Sequence, residues 1–222
     1  MKISRSYRVK AIVVFVSIFF MGLGIALMRF SAMGTDPCNS FNFGIAEHFD
    51  IPLGVPAAIL NLILLIFSIL FYRDSIGLGT IVNMFGCGFA ADFWRIFFRA
   101  IISEESFAIL DDSIGLRFIL VLIGISILGF FASFYMAANM GLAPYDAMAF
   151  IIEKLAKIKF RNARIIVDST ALILAVIVTM PDGRTLQVIG IGTVILALGL
   201  GPILAFIMEN LARPLIQRWS RG

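Results

Sequence analysis

The chain repeats part of itself, and that repetition limits what it can fold into more than any other feature. The string IGLGTIVNMFGCG, from Ile76 to Gly88, returns as IGIGTVILALGLG from Ile189 to Gly201, with Ile, Gly, Gly, Thr, Gly and Gly in register at a shift of 113 residues. Upstream, MGTDPCNSFNF from Met33 resembles MGLAPYDAMAF from Met140, sharing Met, Gly, Pro and a later Phe at a shift of 107. Nearly every stretch between these motifs is apolar. Two similar apolar halves are the pattern of membrane-embedded repeats, in which each copy supplies half of one bundle.

Composition identifies the solvent. Hydrophobic residues make up 60% of the chain and charged residues 14%, against roughly 25% charged in a soluble domain. A helix needs about 20 mostly apolar residues to cross a bilayer. Six stretches approach that length: 11–28, 53–72, 75–98, 118–139, 163–181 and 186–208. Lys2, Arg5, Arg8 and Lys10 before the first run resemble the start of a secretory signal. The run continues to Met28 without a small-x-small cleavage site, so it is read as a retained helix. The expected fold is therefore an all-α membrane protein of six transmembrane helices in one membrane domain. Its two three-helix repeats cover residues 1–112 and 113–222, each with a short proline-headed helix after its first span, at 37–49 and 144–157.

Positive charge orients such a bundle. With the N-terminus in the cytoplasm, the inner side collects Lys2, Arg5, Arg8, Lys10, Arg73, Lys154, Lys157, Lys159, Arg161, Arg164, Arg213, Arg218 and Arg221. The outer side collects Arg29, Arg95, Arg99, Arg117 and Arg184, and its longest loop carries Glu104, Glu105, Asp111 and Asp112. This distribution obeys the positive-inside rule and puts both termini in the cytoplasm. The net charge of +4 then reflects topology, and no nucleic-acid partner is needed to explain it. Three spans per repeat is an odd number, so the second copy begins on the opposite side of the bilayer and the repeats are inverted. That plan is common in secondary transporters, where two similar halves open a shared central site to each side in turn. Duplication also builds stable bundles that carry nothing.

Gly79 and Gly86 are seven apart and share one helix face, while Gly77 and Gly88 share another; Gly190, Gly192, Gly199 and Gly201 repeat the arrangement. Small residues let helix backbones approach closely in lipid, so these two helices are expected to cross each other or their symmetry mates. No Lys-Ser/Thr follows either copy, which excludes a phosphate-cradling P-loop. The same faces serve equally within one chain or between two, which leaves a homodimer open.

Asp36-Pro37 and Ala143-Pro144 each head a short helix, since proline suits a first turn where its missing N–H would be unpaired. Each short helix either lies in the interface, as its mixed apolar and charged faces allow, or is a re-entrant half-helix whose N-terminal dipole faces a bound anion or polar solute. Asp36 and Asp146 are candidates for that site, or alternatively helix-start residues that satisfy free N–H groups.

Inside the spans, Asp168 is the leading candidate for binding a substrate or coupling ion, because an ionisable group at membrane depth faces the bundle interior or water. Its counterpart at the shift of 107 is Asn61. The alternative for Asp168 is an ordinary i, i+4 pair with Arg164 near the inner interface. Asn83 and Asn139 are weaker candidates, as buried amides often join helix to helix. Asp92 and Arg95 form an expected outer ion pair, and Arg29 is expected to snorkel to the outer headgroups. One histidine, His48, and two widely spaced thiols, Cys38 and Cys87, give no metal site, disulfide framework or cofactor motif. No nucleophile-base-acid grouping points to an enzyme.

The motifs Met33 to Asn39 and Met140 to Asp146, with Gly77-x-Gly79-Thr80 ahead of Gly86-x-Gly88, resemble the YczE/YyaS/YitT group of bacterial integral membrane proteins, particularly its YczE-like branch. Members of that group show Gly followed by Asp-Pro or Ser-Pro and then Trp-Asp. Here Cys38-Asn39 and Tyr145-Asp146 stand in the last two places, so the first copy lacks the acidic residue. The resemblance implies a bacterial inner-membrane location and leaves the substrate open. The favoured expectation is a small secondary carrier of a polar solute, with a proton or Na⁺ as coupling ion and Asp168, Asn61 and Asn83 as first residues to test. A passive substrate-binding subunit of a multi-component importer and a structural or regulatory accessory protein are the alternatives.

Overall fold

The computed structural model describes residues 4–51, 54–102, 112–181 and 189–221. Lys2, Glu104, Glu105, Asp111, Arg184 and the start of the stretch expected at 186–208 lie outside the described residues. Ser4 starts the first helix, its hydroxyl accepting from Tyr7 N at 3.2 Å, so α1 covers Arg5–Ser31 and begins ahead of its apolar run. Next come α2 (Pro37–His48) and α3 (Gly54–Phe71). A tight turn over Arg73–Ser75 leads to α4 (Leu78–Ile101), followed by α5 (Ile114–Ala137), α6 (Pro144–Ala156) and α7 (Phe160–Thr179). The last run is α8 (Ile191–Ile207), a wide π turn over Met208–Ala212 and α9 (Arg213–Arg221).

Among the described residues, five helical stretches are long and apolar enough to cross a membrane: α1, α4, α5, α7 and the continuous run Ile191–Ser220. The sixth expected span is a shorter apolar helix, Val55–Phe71. Its backbone leaves the helical path at Tyr72 (φ −150°, ψ 60°), where the turn over Arg73–Ser75 takes over. The two short helices begin at Pro37 and Pro144 as expected from the sequence and end close to their expected positions.

The core forms where α1 crosses α5 and α4. Gly24 and Gly124 meet at the first crossing, where a Cβ on either would lie within 2.8 Å of the other's carbonyl oxygen. At the second, a Cβ on Gly22 would press into Ala90 and Ala91. Trp94 Nε1 donates to the Phe19 carbonyl at 3.0 Å across the same interface. In the other half of the bundle, α2 packs along α7, α8 packs on α7 and α5, and α3 packs on α6. Tyr135, Leu196 and Leu204 are among the largest fully buried side chains.

The backbone duplicates more than the sequence does. Residues with positive φ among those described are Ala32, Gly34, Asp50, Asn139, Gly141 and Lys157, which form three pairs 107 residues apart. The angles agree closely: 49° and 51°, 102° and 105°, 52° and 54°. Each glycine turn docks on a distant helix start in the same way. Gly79 N donates to Met140 O at 2.7 Å, and Gly192 N donates to Met33 O at 2.8 Å. A Cβ on Gly77, Gly79 or Gly190 would collide with these turns, and one on Gly192 would collide with the Val121 side chain while lying 3.0 Å from Met33 O. So the glycine-rich starts of α4 and α8 pack against turns, and α4 and α8 make no extensive contact with each other. Gly88 and Gly199 face open space, Gly86 makes an ordinary contact with Ile18, and Gly201 packs tightly on α7.

The bundle has two distinct ends. The start of α1, the turns around Ile76 and Asn139, and α9 share clefts at one end. At the other, the α1–α2 turn lies beside Arg95 and Arg99 of α4, and Arg117 of α5 donates to the carbonyls of Ser31 and Ala32.

Candidate functional site

A buried charge centre joins α6 to α7. Ala143 is extended (φ −58°, ψ 146°), and its N–H donates to the hydroxyl of fully buried Tyr135 on α5. Pro144 then starts α6, which brings Tyr145 and Asp146 into its first turn. On α7, Arg164 and Asp168 stand four residues apart and share a face. The Arg164 guanidinium donates from Nη1 to Asp146 Oδ1 at 2.6 Å and from Nε to Asp168 Oδ2 at 2.9 Å. Tyr145 donates its phenol proton to Asp168 Oδ1 at 2.7 Å, and its ring lies 5.1 Å from the guanidinium carbon. Asp168 is 0% exposed, Arg164 5% and Asp146 8%. Gly201 of α8 closes the back of the centre, because a Cβ there would meet Arg161 O and Arg164 Cβ.

One guanidinium facing two carboxylates leaves a formal charge of −1 away from solvent. Taking an ion out of water costs several kcal/mol, so such a group persists only where hydrogen bonds satisfy its atoms. Here both oxygens of Asp168 are bonded. Asp146 also lies in the first turn of α6, where the helix dipole favours a negative charge.

The short helices run along α7 in opposite directions. Gly44, late in α2, lies against Val178 and Thr179 near the end of α7, while Glu153, late in α6, accepts from Phe160 N at its start. Their N-terminal turns meet between these points. Cys38 and Tyr145, themselves 107 residues apart, line one cavity of about 230 Å³ with Leu60, Met148, Val167 and Thr170.

The structure sorts the candidates. Asp146 and Asp168 meet through Arg164. Asp36 is instead the cap of α2, its carboxylate accepting from Asn39 N at 3.0 Å and Asn39 Nδ2 at 2.6 Å. Asn61 is half-buried on α3, whose Leu60 and Leu64 line the cavity. Asn83 is buried on α4, its Nδ2 without a partner among the described residues. Asn139 is exposed at a left-handed turn rather than inside a span. Asp92 pairs with Arg95 at 3.4 Å and also with Arg29 at 3.8 Å, so Arg29 does more than reach for headgroups. Cys38 and Cys87 are free thiols. Arg164 enters the centre as more than the i, i+4 partner expected from sequence, and Tyr145 joins it without having been among the candidates. A tyrosine-aspartate pair in a proline-headed first turn, with Arg and Asp at i, i+4 in an apolar run, was the available signal.

Several long apolar helices around buried charge define an integral membrane protein. Residues 8–209 match the family described as a family of unknown function, DUF6198, and the chain belongs to it. It is similar to YczE of Bacillus subtilis strain 168, an uncharacterised membrane protein, at 24% identity over 193 residues, 86% of this chain and 82% of that one. That similarity bears out the YczE-like resemblance carried by the motifs. An uncharacterised protein of Haemophilus influenzae Rd is also 24% identical, over 95% of this chain and 88% of its own. No solved structure matches.

Proposed function

We propose that this chain is a small secondary transporter that moves a small polar solute by alternating access between two inverted three-helix repeats. The observation that carries the proposal is the threefold recurrence of positive backbone angles at a spacing of 107 residues. Ala32 matches Asn139 and Asp50 matches Lys157 although the side chains differ, so the likeness lies in the path of the chain. The reciprocal docks of Gly79 on Met140 and Gly192 on Met33 support the same symmetry. In this scheme α2 and α6 are re-entrant half-helices whose N-termini meet at the centre, and Asp168, Asp146 and Tyr145 face the solute or its coupling ion. The unbalanced negative charge favours a proton or Na⁺ as that ion. Exchange of the two halves between equivalent conformations opens the centre to each side in turn.

The test pairs binding with flux. Purified protein is screened for thermal stabilisation by a metabolite library, and hits are assayed for uptake into proteoliposomes under imposed pH and Na⁺ gradients. A carrier gives gradient-driven uptake that Asp168→Asn abolishes while the helical content is retained. Stabilisation without uptake turns the assignment toward a substrate-binding subunit. No hit, with Asp168→Asn silent in the cell, turns it toward an accessory protein.

A further inference from the structure

At the end of the bundle away from the termini, three helices bring together arginines that the positive-inside rule does not explain. Arg29 of α1 and Arg95 and Arg99 of α4 line a cavity of about 500 Å³, with Glu47 of α2 in its wall. Arg117 of α5 stands beside them, occupied by the Ser31 and Ala32 carbonyls at 2.7 and 3.0 Å, and so caps the end of α1. Among the described residues the other three make no such hydrogen bonds, and the Arg29 guanidinium carbon lies 5.8 Å from the centre of the Phe43 ring. Asp92 Oδ1 is shared between Arg95 at 3.4 Å and Arg29 at 3.8 Å, a loose arrangement in which one oxygen serves two guanidiniums. The Nε donors of both Arg29 and Arg95 are shielded from solvent and have no acceptor among the described residues. Arg99 makes no ion pair among those residues. A shielded N–H without an acceptor is costly, and guanidinium forks match the oxygens of a phosphate.

We propose that this cavity binds a phosphate group through Arg29, Arg95 and Arg99. The chemistry is shared by a free phosphate-bearing solute and by the headgroup of an anionic lipid, and the cavity lies where either reaches it. The site is separate from the Arg164 centre, and its occupancy does not depend on transport.

The experiment uses the full chain in lipid nanodiscs. In phosphatidylcholine discs, inorganic phosphate is compared with chloride at equal ionic strength by its effect on the melting midpoint. In discs containing phosphatidylglycerol, native mass spectrometry counts retained lipids. A free-solute site raises the midpoint in the first arm; a headgroup site retains phosphatidylglycerol over phosphatidylcholine in the second. Whichever response occurs, the Arg95→Gln/Arg99→Gln double variant weakens it roughly tenfold or more, as expected for lost charge-assisted hydrogen bonds. Lys157→Gln, an exposed position just past the end of α6, leaves it unchanged. A wild-type protein that responds in neither arm overturns the proposal, and so does a folded double variant that responds like the wild type.

Discussion

Arg164 holds two carboxylates that would otherwise repel each other across a buried space, so its removal is the most damaging single change at the charge centre. Arg164→Leu leaves Asp146 and Asp168 uncompensated, and breaking a buried pair in this way costs about 3–5 kcal/mol. The expected result is a marked drop in the thermal midpoint of the detergent-purified protein. Replacing Arg164, Asp146 and Asp168 together by apolar residues restores much of that loss, because no buried charge remains. A single variant as stable as the wild type would refute the ion-pair network. Asp168 and its i, i+4 partner are legible from sequence, since both sit in one apolar run. It did not separate Asp36 from Asp146. Both precede or enter a short helix, yet at a shift of 107 Asp36 aligns with Ala143 and Asp146 with Asn39. One caps a helix and the other meets an arginine, a difference set by which element lies opposite.

Glycine raises the same issue along a helix. Hydrophobic periodicity and length located the spans, and the motif identified the glycines as packing residues, but their partners depended on tertiary contact. Gly77, Gly79, Gly190 and Gly192 receive turns from the other half, whereas Gly88 and Gly199 touch nothing nearby. Gly79→Ala and Gly192→Ala are therefore expected to destabilise, since the methyl group meets the Gly141 carbonyl in the first and the Val121 side chain beside the Met33 carbonyl in the second. Gly88→Ala and Gly199→Ala are expected to stabilise by up to about 1 kcal/mol through helix propensity alone. Circular-dichroism melts of the four variants distinguish the two sets, and equal behaviour would mean the docks are not formed. The end of α1 offers a sharper case, because Ala32 sits at φ 49° without the local hydrogen bonding that lets asparagine adopt the left-handed region. Ala32→Gly is expected to stabilise by about 1 kcal/mol, and Asn139→Gly by less; a lowered midpoint for Ala32→Gly would contradict the turn geometry. Hydropathy did not reveal the shortness of α3 or the continuation of the last span through a π turn, because both depend on where the backbone bends rather than on how apolar it is.

For the whole molecule, the repeat motifs imply two like halves, and the positive-angle pairs extend that likeness to positions with unrelated side chains. The proposed inversion of the halves depends on α3, the shorter apolar helix, completing a third span in the first half. Asp50 and Lys157 test it directly. They end α2 and α6 with matching left-handed angles, and both are exposed. In a background with Cys38 and Cys87 replaced by alanine, Asp50→Cys and Lys157→Cys are introduced one at a time, and sealed right-side-out vesicles are treated with a membrane-impermeant maleimide. Inverted halves put these two positions on opposite faces, so Asp50→Cys is expected to react in intact vesicles and Lys157→Cys only after the bilayer is opened. The left-handed turn itself is tolerated in both variants, since Ala32 holds nearly the same angle without a polar side chain. If both positions react from one side, the halves are parallel, the short helices do not approach a common centre from opposite faces, and alternating access by exchange of halves loses its structural basis.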